Sequence, residues 1–139
     1  MLHKIKQLLN YYTYTYSKDD DKYAIKYLNH EEYFIFSQMD DYDKKHSVNI
    51  VKEIINNPFH KDNKLLVKFA LLHDIGKIYS YNLMKRIKHS ITKNYFHAKK
   101  GYEIMENINS DVAKLILEHH NKYTYNEIIL YFQKLDDKF

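Results

Sequence analysis

A chain of 139 residues with 45% hydrophobic and 29% charged side chains is long enough for one core and short for two domains. It contains no cysteine, which excludes disulfides, thiolate zinc sites, iron–sulfur clusters and a cysteine nucleophile, so any metal must be held by nitrogen and oxygen. The formal charge of +4 arises from 22 basic and 18 acidic residues that interleave along the chain, with Arg86 the single arginine; this disfavours nucleic acid, which is gripped by clustered basic side chains and arginine forks, and suits a small anionic partner.

Two glycines and one proline leave almost no punctuation for hairpins, and apolar residues recur at three- and four-residue spacing, so the expected class is all-α. Leu2, Ile5, Leu8 and Leu9 predict a first helix. His3, Lys4 and Lys6 make it too polar for a signal peptide, no later segment suits a bilayer, and a cytoplasmic, membrane-free protein is expected. After the acidic break at Asp19 to Asp21, the residues Tyr23, Ile25 and Leu28 predict a short second helix that stops at Asn29. These first 30 residues are expected to form a helical extension packed on the core domain of residues 31–139. A third helix is expected from Glu31 to Asp43. Val48, Val51, Ile54 and Ile55 mark a fourth, beginning just after His46 and closing before Asn57 and Pro58, which places His46 near its first turn.

Leu65, Leu66, Phe69, Ala70 and Leu72 predict a helix from about Asn63 through His73 and Asp74, closed by Gly76 as a left-handed cap. The polar, irregular segment Tyr81 to Ile91 reads as a short helix plus a loop, a candidate lid. Three further helices are marked by Tyr102, Met105 and Ile108, by Val112, Leu115, Ile116 and His119, and by Ile128, Ile129, Phe132 and Leu135, the last ending near Asp136.

His46, the pair His73 and Asp74, His97, the pair His119 and His120, and Asp136 all fall at or near predicted helix ends. Imidazole and carboxylate together suit Zn, Fe, Mn or Co, with Mg open to the carboxylates, and this mixture is commoner in catalytic than in structural sites. A chain of this length buries roughly two thirds of its surface on folding and needs no metal staple. Taken singly, a histidine such as His46 is more often a surface or half-buried residue; His3, His30, His60 and His89 are read that way.

The order of these residues, with Ala70 to Lys77 reading ALLHDIGK and His97 four residues before Gly101, resembles the HD-domain superfamily of metal-dependent phosphohydrolases, with an HDIG-type signature. The resemblance covers residues 31–139. It implies a compact single-domain helical bundle with a metal site between helix ends, one or two divalent ions, and hydrolysis of a phosphoester or phosphoanhydride bond. By position, His46, His73, Asp74 and Asp136 match the ligands of a first metal, with Asp74 bridging to a second. His97 and one of His119 and His120 match the second metal's ligands, with His119 the preferred one; His120 is left as a third-metal ligand, an outer-shell group or a bystander. Asp74 and Lys77 are the expected catalytic residues. Lys77 is the candidate phosphate-facing cation, with Arg86, Lys99 and Lys100 behind it. A phosphorylated small molecule, by family frequency a nucleotide, is the expected substrate. Two other readings are a di-iron oxygenase-like enzyme and a non-catalytic nucleotide- or alarmone-binding module. Fifteen tyrosines and seven phenylalanines leave aromatic surface enough for a homodimer.

Overall fold

The computed structural model describes Leu2, residues 15–79 and residues 96–139. The expected first helix beyond Leu2, the Tyr81–Ile91 lid, Arg86, His3 and His89 lie outside these residues.

Side-chain caps decide where most of the helices begin. Ser17 opens α1 (Lys18–Tyr27) with a capping box closed by Asp20, and Asn29 opens α2 (His30–Phe36) with a second box closed by Glu32. Helix α3 spans Asp41–Ile55. The oxygens of Asn63, Asn109 and Asn126 take the first free amides of α4 (Lys64–Leu72), α6 (Ser110–Glu118) and α7 (Glu127–Lys138). Helix α5 is Phe96–Met105, and a 3-10 segment at Ile75–Tyr79 precedes it in the described chain. A short polar side chain at these positions satisfies amides that the helix itself cannot. Among the described residues there is no strand, and no helix is long and apolar enough to cross a membrane.

Besides Asp19 to Asp21, read as a break but lying in the first turn of α1, and Ile108, which falls beyond the end of α5, three boundaries differ from the sequence reading. Asn29 starts α2 instead of stopping α1, because Leu28 is already extended (φ −98°, ψ 141°) and ends the first helix. The helix expected over 31–43 is two: after Phe36 the chain tightens through Gln38 N–H to Ile35 O and Met39 N–H to Phe36 O, both 3.1 Å, and Asp40 is extended. Helix α3 therefore starts at Asp41, which moves His46 from the first turn to the second. Third, α4 ends at Leu72 with His73 as its right-handed cap, and Gly76 lies in the 3-10 segment with no left-handed backbone.

Gly76 is needed for space. A Cβ there would run into the carbonyl oxygen of His97 and come within 2.7 Å of the Gly101 nitrogen; one on Gly101 would lie 2.7 Å from the Ile116 side chain. The two glycines of the chain thus let the backbone of α5 press on the 3-10 segment, with α6 behind it.

The core is filled by Phe36 of α2, Ile50 and Ile54 of α3, Leu66 and Phe69 of α4, Met105 of α5, Ile116 of α6 and Phe132 of α7, all fully buried. Helix α1 packs on α3 and α4 and adds Ala24. A polar hub joins the elements around it. Glu32, fully buried, accepts from Asn29 N–H (2.9 Å) and Lys68 Nζ (2.8 Å) with one oxygen and from Asn109 Nδ2 (2.9 Å) with the other. One carboxylate therefore ties the start of α2 to α4 and to the residue that caps α6. Asp20 plays a similar part for α1, accepting from Lys45 at 2.9 Å and Lys52 at 3.3 Å, both on α3.

Burial works to raise the Glu32 carboxyl, but the Asn29 amide, the Lys68 ammonium and the Asn109 amide hold it below its ordinary value of 4.5. A carboxyl held low by folding contributes stability that is complete above its ordinary value and is lost as pH falls toward its folded one. Glu32→Gln turns a donor toward Lys68 or Asn109 and should destabilise by about 2–4 kcal/mol at pH 7. In urea titrations from pH 7 to 3, the gap between wild type and variant should close as the pH drops below about 4.5. Gly101→Ala overpacks the α5–α6 contact and should cost about 1–3 kcal/mol, read as a lower urea midpoint with unchanged slope.

Candidate metal centre

His73 and His119 occupy equivalent places: each is the cap at the end of a helix, α4 and α6 respectively. At such an end the last carbonyls lack intrahelical partners. The Nδ1–H of His73 donates to Ala70 O at 2.8 Å, and that of His119 donates to Ile116 O. This fixes the tautomer and aims each Nε2 lone pair away from its helix. Both Nε2 atoms are buried and make no hydrogen bond.

Around the first of them gather His46 from α3 and Asp136 from α7. Asp136 Oδ1 lies 2.7 Å from His46 Nε2 and 3.7 Å from His73 Nε2. Around the second gather His97 from α5 and His120, their Nε2 atoms 3.0 Å apart, with the His119 ring centroid 5.3 Å from that of His97 and 3.9 Å from that of His120. In each trio, His46, His73 and Asp136 or His97, His119 and His120, one donor atom from every residue lies within 4.8 Å of the others. Asp74 stands between: its Oδ2 is 3.2 Å from His73 Nε2 and its Oδ1 3.4 Å from His97 Nε2. Lys77, three residues on, places Nζ 3.0 Å from Asp74 Oδ2.

Charge sorts these groups. Burial pushes the imidazoles of His97, His119 and His120 down, helped by the positive charge of Lys77 at His97, of His73 at His119 and of His119 at His120; His119 falls to about 4. Burial opposes ionisation of Asp74, yet His73 and Lys77 hold it well below the usual carboxylate range. Burial likewise opposes Asp136, and His46 holds it down. For His73, burial is outweighed by the Asp74 and Asp136 carboxylates, and its pKa rises. His97, His119 and His120 are thus held as neutral imidazoles and Asp74 and Asp136 as carboxylates, the forms that bind a metal, while His73 would give up its proton to an ion.

The donors fit a divalent transition ion on three counts. They are nitrogen and oxygen only, as the lack of cysteine requires. The Nε2 atoms of His73 and His119 are buried and make no hydrogen bond. Donors sharing one ion at about 2.0–2.1 Å stand about 3.0–3.4 Å apart by simple geometry, and the closest contacts here run from 2.7 to 3.7 Å.

All seven histidines and aspartates singled out from sequence converge here, and His120 joins His97 and His119 instead of standing aside. Asp136 is firmly placed, since α7 continues to Lys138, whose Nζ meets Glu53 of α3 at 3.1 Å. Lys99 is exposed, and Lys100 lies over the Phe96 ring at 5.3 Å and 3.7 Å from Glu103. His60 stacks on Tyr131, with centroids 3.9 Å apart. Sequence reading overlooked three supports. Tyr42, one turn before His46, stacks on its ring at 6.4 Å and 9°. Phe132, one turn before Asp136, meets the His73 ring edge-on at 4.8 Å. Gln133 reaches the backbone beside His120. For Tyr42 and Phe132 the signal was helical spacing, four residues before a ligand candidate; Gln133 gave none.

Comparison with curated proteins and with solved structures finds no match. The HD domain family matches residues 35–137, a span that takes in every residue of both trios and Asp74, and the chain belongs to the HD domain family.

Proposed function

We propose that this chain is a phosphohydrolase with two divalent ions, acting on a phosphoester or phosphoanhydride bond of a nucleotide-like substrate. The observation that carries this reading is Asp74, whose two oxygens face different trios, the disposition of a carboxylate shared by two cations. Bound there, the ions would make a water nucleophilic near neutral pH and neutralise charge building on phosphoryl oxygens; Fe, Mn, Zn, Co and Mg are the ions to try.

The protein's own part is placement and charge. His46, His73 and Asp136 would hold one ion and His97, His119 and His120 the other. The bonds from Nδ1 of His73 and His119 to backbone carbonyls keep those rings from turning. Lys77 supplies the positive charge nearest the shared carboxylate, where it can meet a phosphoryl oxygen that Asp74 alone would repel. Arg86, Lys99 and Lys100 are secondary candidates for the rest of the phosphate chain. Phe132 and Tyr42 back the rings with apolar surface, which keeps water from competing for the lone pairs.

The test is metal content and hydrolysis of an aryl phosphodiester and a nucleotide panel, with each ion added in turn. Wild type should carry about two ions per chain. Asp74→Ala should lose at least one and drop in kcat/KM by more than about 100-fold. Metal bound without turnover of any substrate would favour a nucleotide-binding module, and metal-dependent dioxygen uptake an oxygenase. Lys77→Met should keep its metal and lose about 100-fold in kcat/KM, the order expected for removal of one preorganised donor; a variant as active as wild type would remove Lys77 from the reaction.

A further inference from the structure

Two of the three histidines in one trio sit where the chain leaves α6. The His119 N–H reaches Ile116 O at 3.3 Å and the Asn121 N–H reaches Glu118 O at 2.9 Å. From α7, Gln133 holds the backbone of this turn. Its Nε2 donates to His119 O at 3.2 Å and to Asn121 O at 2.9 Å. Both neighbours are carbonyl oxygens, so only the NH2 end of the amide can face them, and both of its hydrogens are used. The two carbonyls flank His120.

Gln133 also precedes Asp136 by three residues on the same helix, so the two side chains leave neighbouring positions on one face. Helix α7 is itself fixed by the buried Ile129, Phe132 and Leu135. A firmly packed helix carrying a donor of the first trio is thus fastened, through one side-chain amide, to the turn carrying two donors of the second.

We infer that Gln133 is a positioning residue: it clamps the His119–His120 turn to α7 and sets the separation of the two donor trios. This rests on the metal-centre reading. Without the clamp, water can satisfy the Asn121 carbonyl, whose bond lies at the surface, and only the part-buried His119 carbonyl loses its donor, so the fold persists. The lost property is the register of His119 and His120 against His97.

The experiment titrates metal-free protein with Mn(II) alone by calorimetry, comparing wild type, Gln133→Met and Glu32→Gln. Methionine keeps the length of the side chain and removes both donors; the Glu32 change lowers stability at the opposite end of α6, where Glu32 holds the Asn109 cap. Wild type should show two ions. Gln133→Met should bind one as wild type does and the other about 10- to 100-fold more weakly, the usual effect of losing an outer-shell partner, with thermal unfolding of the metal-free chain little changed. Glu32→Gln should keep both affinities despite its lower stability. If wild type binds two ions and Gln133→Met matches it at both, or weakens at both together, the positioning role is wrong while the metal centre stands. A wild type that takes up no Mn(II) overturns the metal-centre reading and this inference with it.

Discussion

The contact on which the site depends is between backbones: Gly76 against the His97 carbonyl and the Gly101 nitrogen. No side chain fits there. Because α5 approaches the 3-10 segment at that distance, His97 comes within 3.4 Å of Asp74, although 23 residues separate them in sequence. A methyl group at either glycine would push α5 outward, and a displacement of about 1 Å is enough to spoil a coordination set or a reacting geometry. The only two glycines in the chain are both used to prevent it.

The donors themselves stand on helix ends for a related reason. A helix C-terminus leaves carbonyls without partners, and an imidazole placed there can satisfy one of them with Nδ1–H while presenting Nε2 outward. His73 and His119 both do this. One bond therefore closes a helix, chooses a tautomer and aims a lone pair. His46 is held differently, in mid-helix, by the Asp136 carboxylate and the Tyr42 ring.

Much of this was legible in the sequence. Apolar spacing pointed to the described α-helices except that it merged α2 with the start of α3, and the HDIG-type string with its outlying histidines and Asp136 named all seven residues that converge. The failures have physical causes. Gly76 looked like a left-handed cap because glycine serves both conformational freedom and close approach, and a sequence does not distinguish them. The break between α2 and α3 was missed because Ser37 to Asp40 contains neither glycine nor proline; the chain turns there by three-residue hydrogen bonds that most side chains accept. Gln133 was missed because its partners are backbone carbonyls, which every residue has, so its role depends on packing alone.

The site also shapes the distribution of stability. Four histidines and one aspartate of the seven are at most 4% or 6% exposed, namely His46, His73, Asp74, His97 and His119, and two of their nitrogens make no hydrogen bond. Buried polar atoms without partners oppose folding. The compensation lies outside the donor set: in the aromatic core of Phe36, Phe69 and Phe132, and in polar hubs whose carboxylates are fully engaged, Glu32 by three donors and Asp20 by Ser17, Lys45 and Lys52. Those hubs tie α1, α2 and the α6 cap to helices α3 and α4, which carry or lead into the first trio. Lone pairs can therefore remain open at the centre because the ion pairs that secure the fold are closed elsewhere.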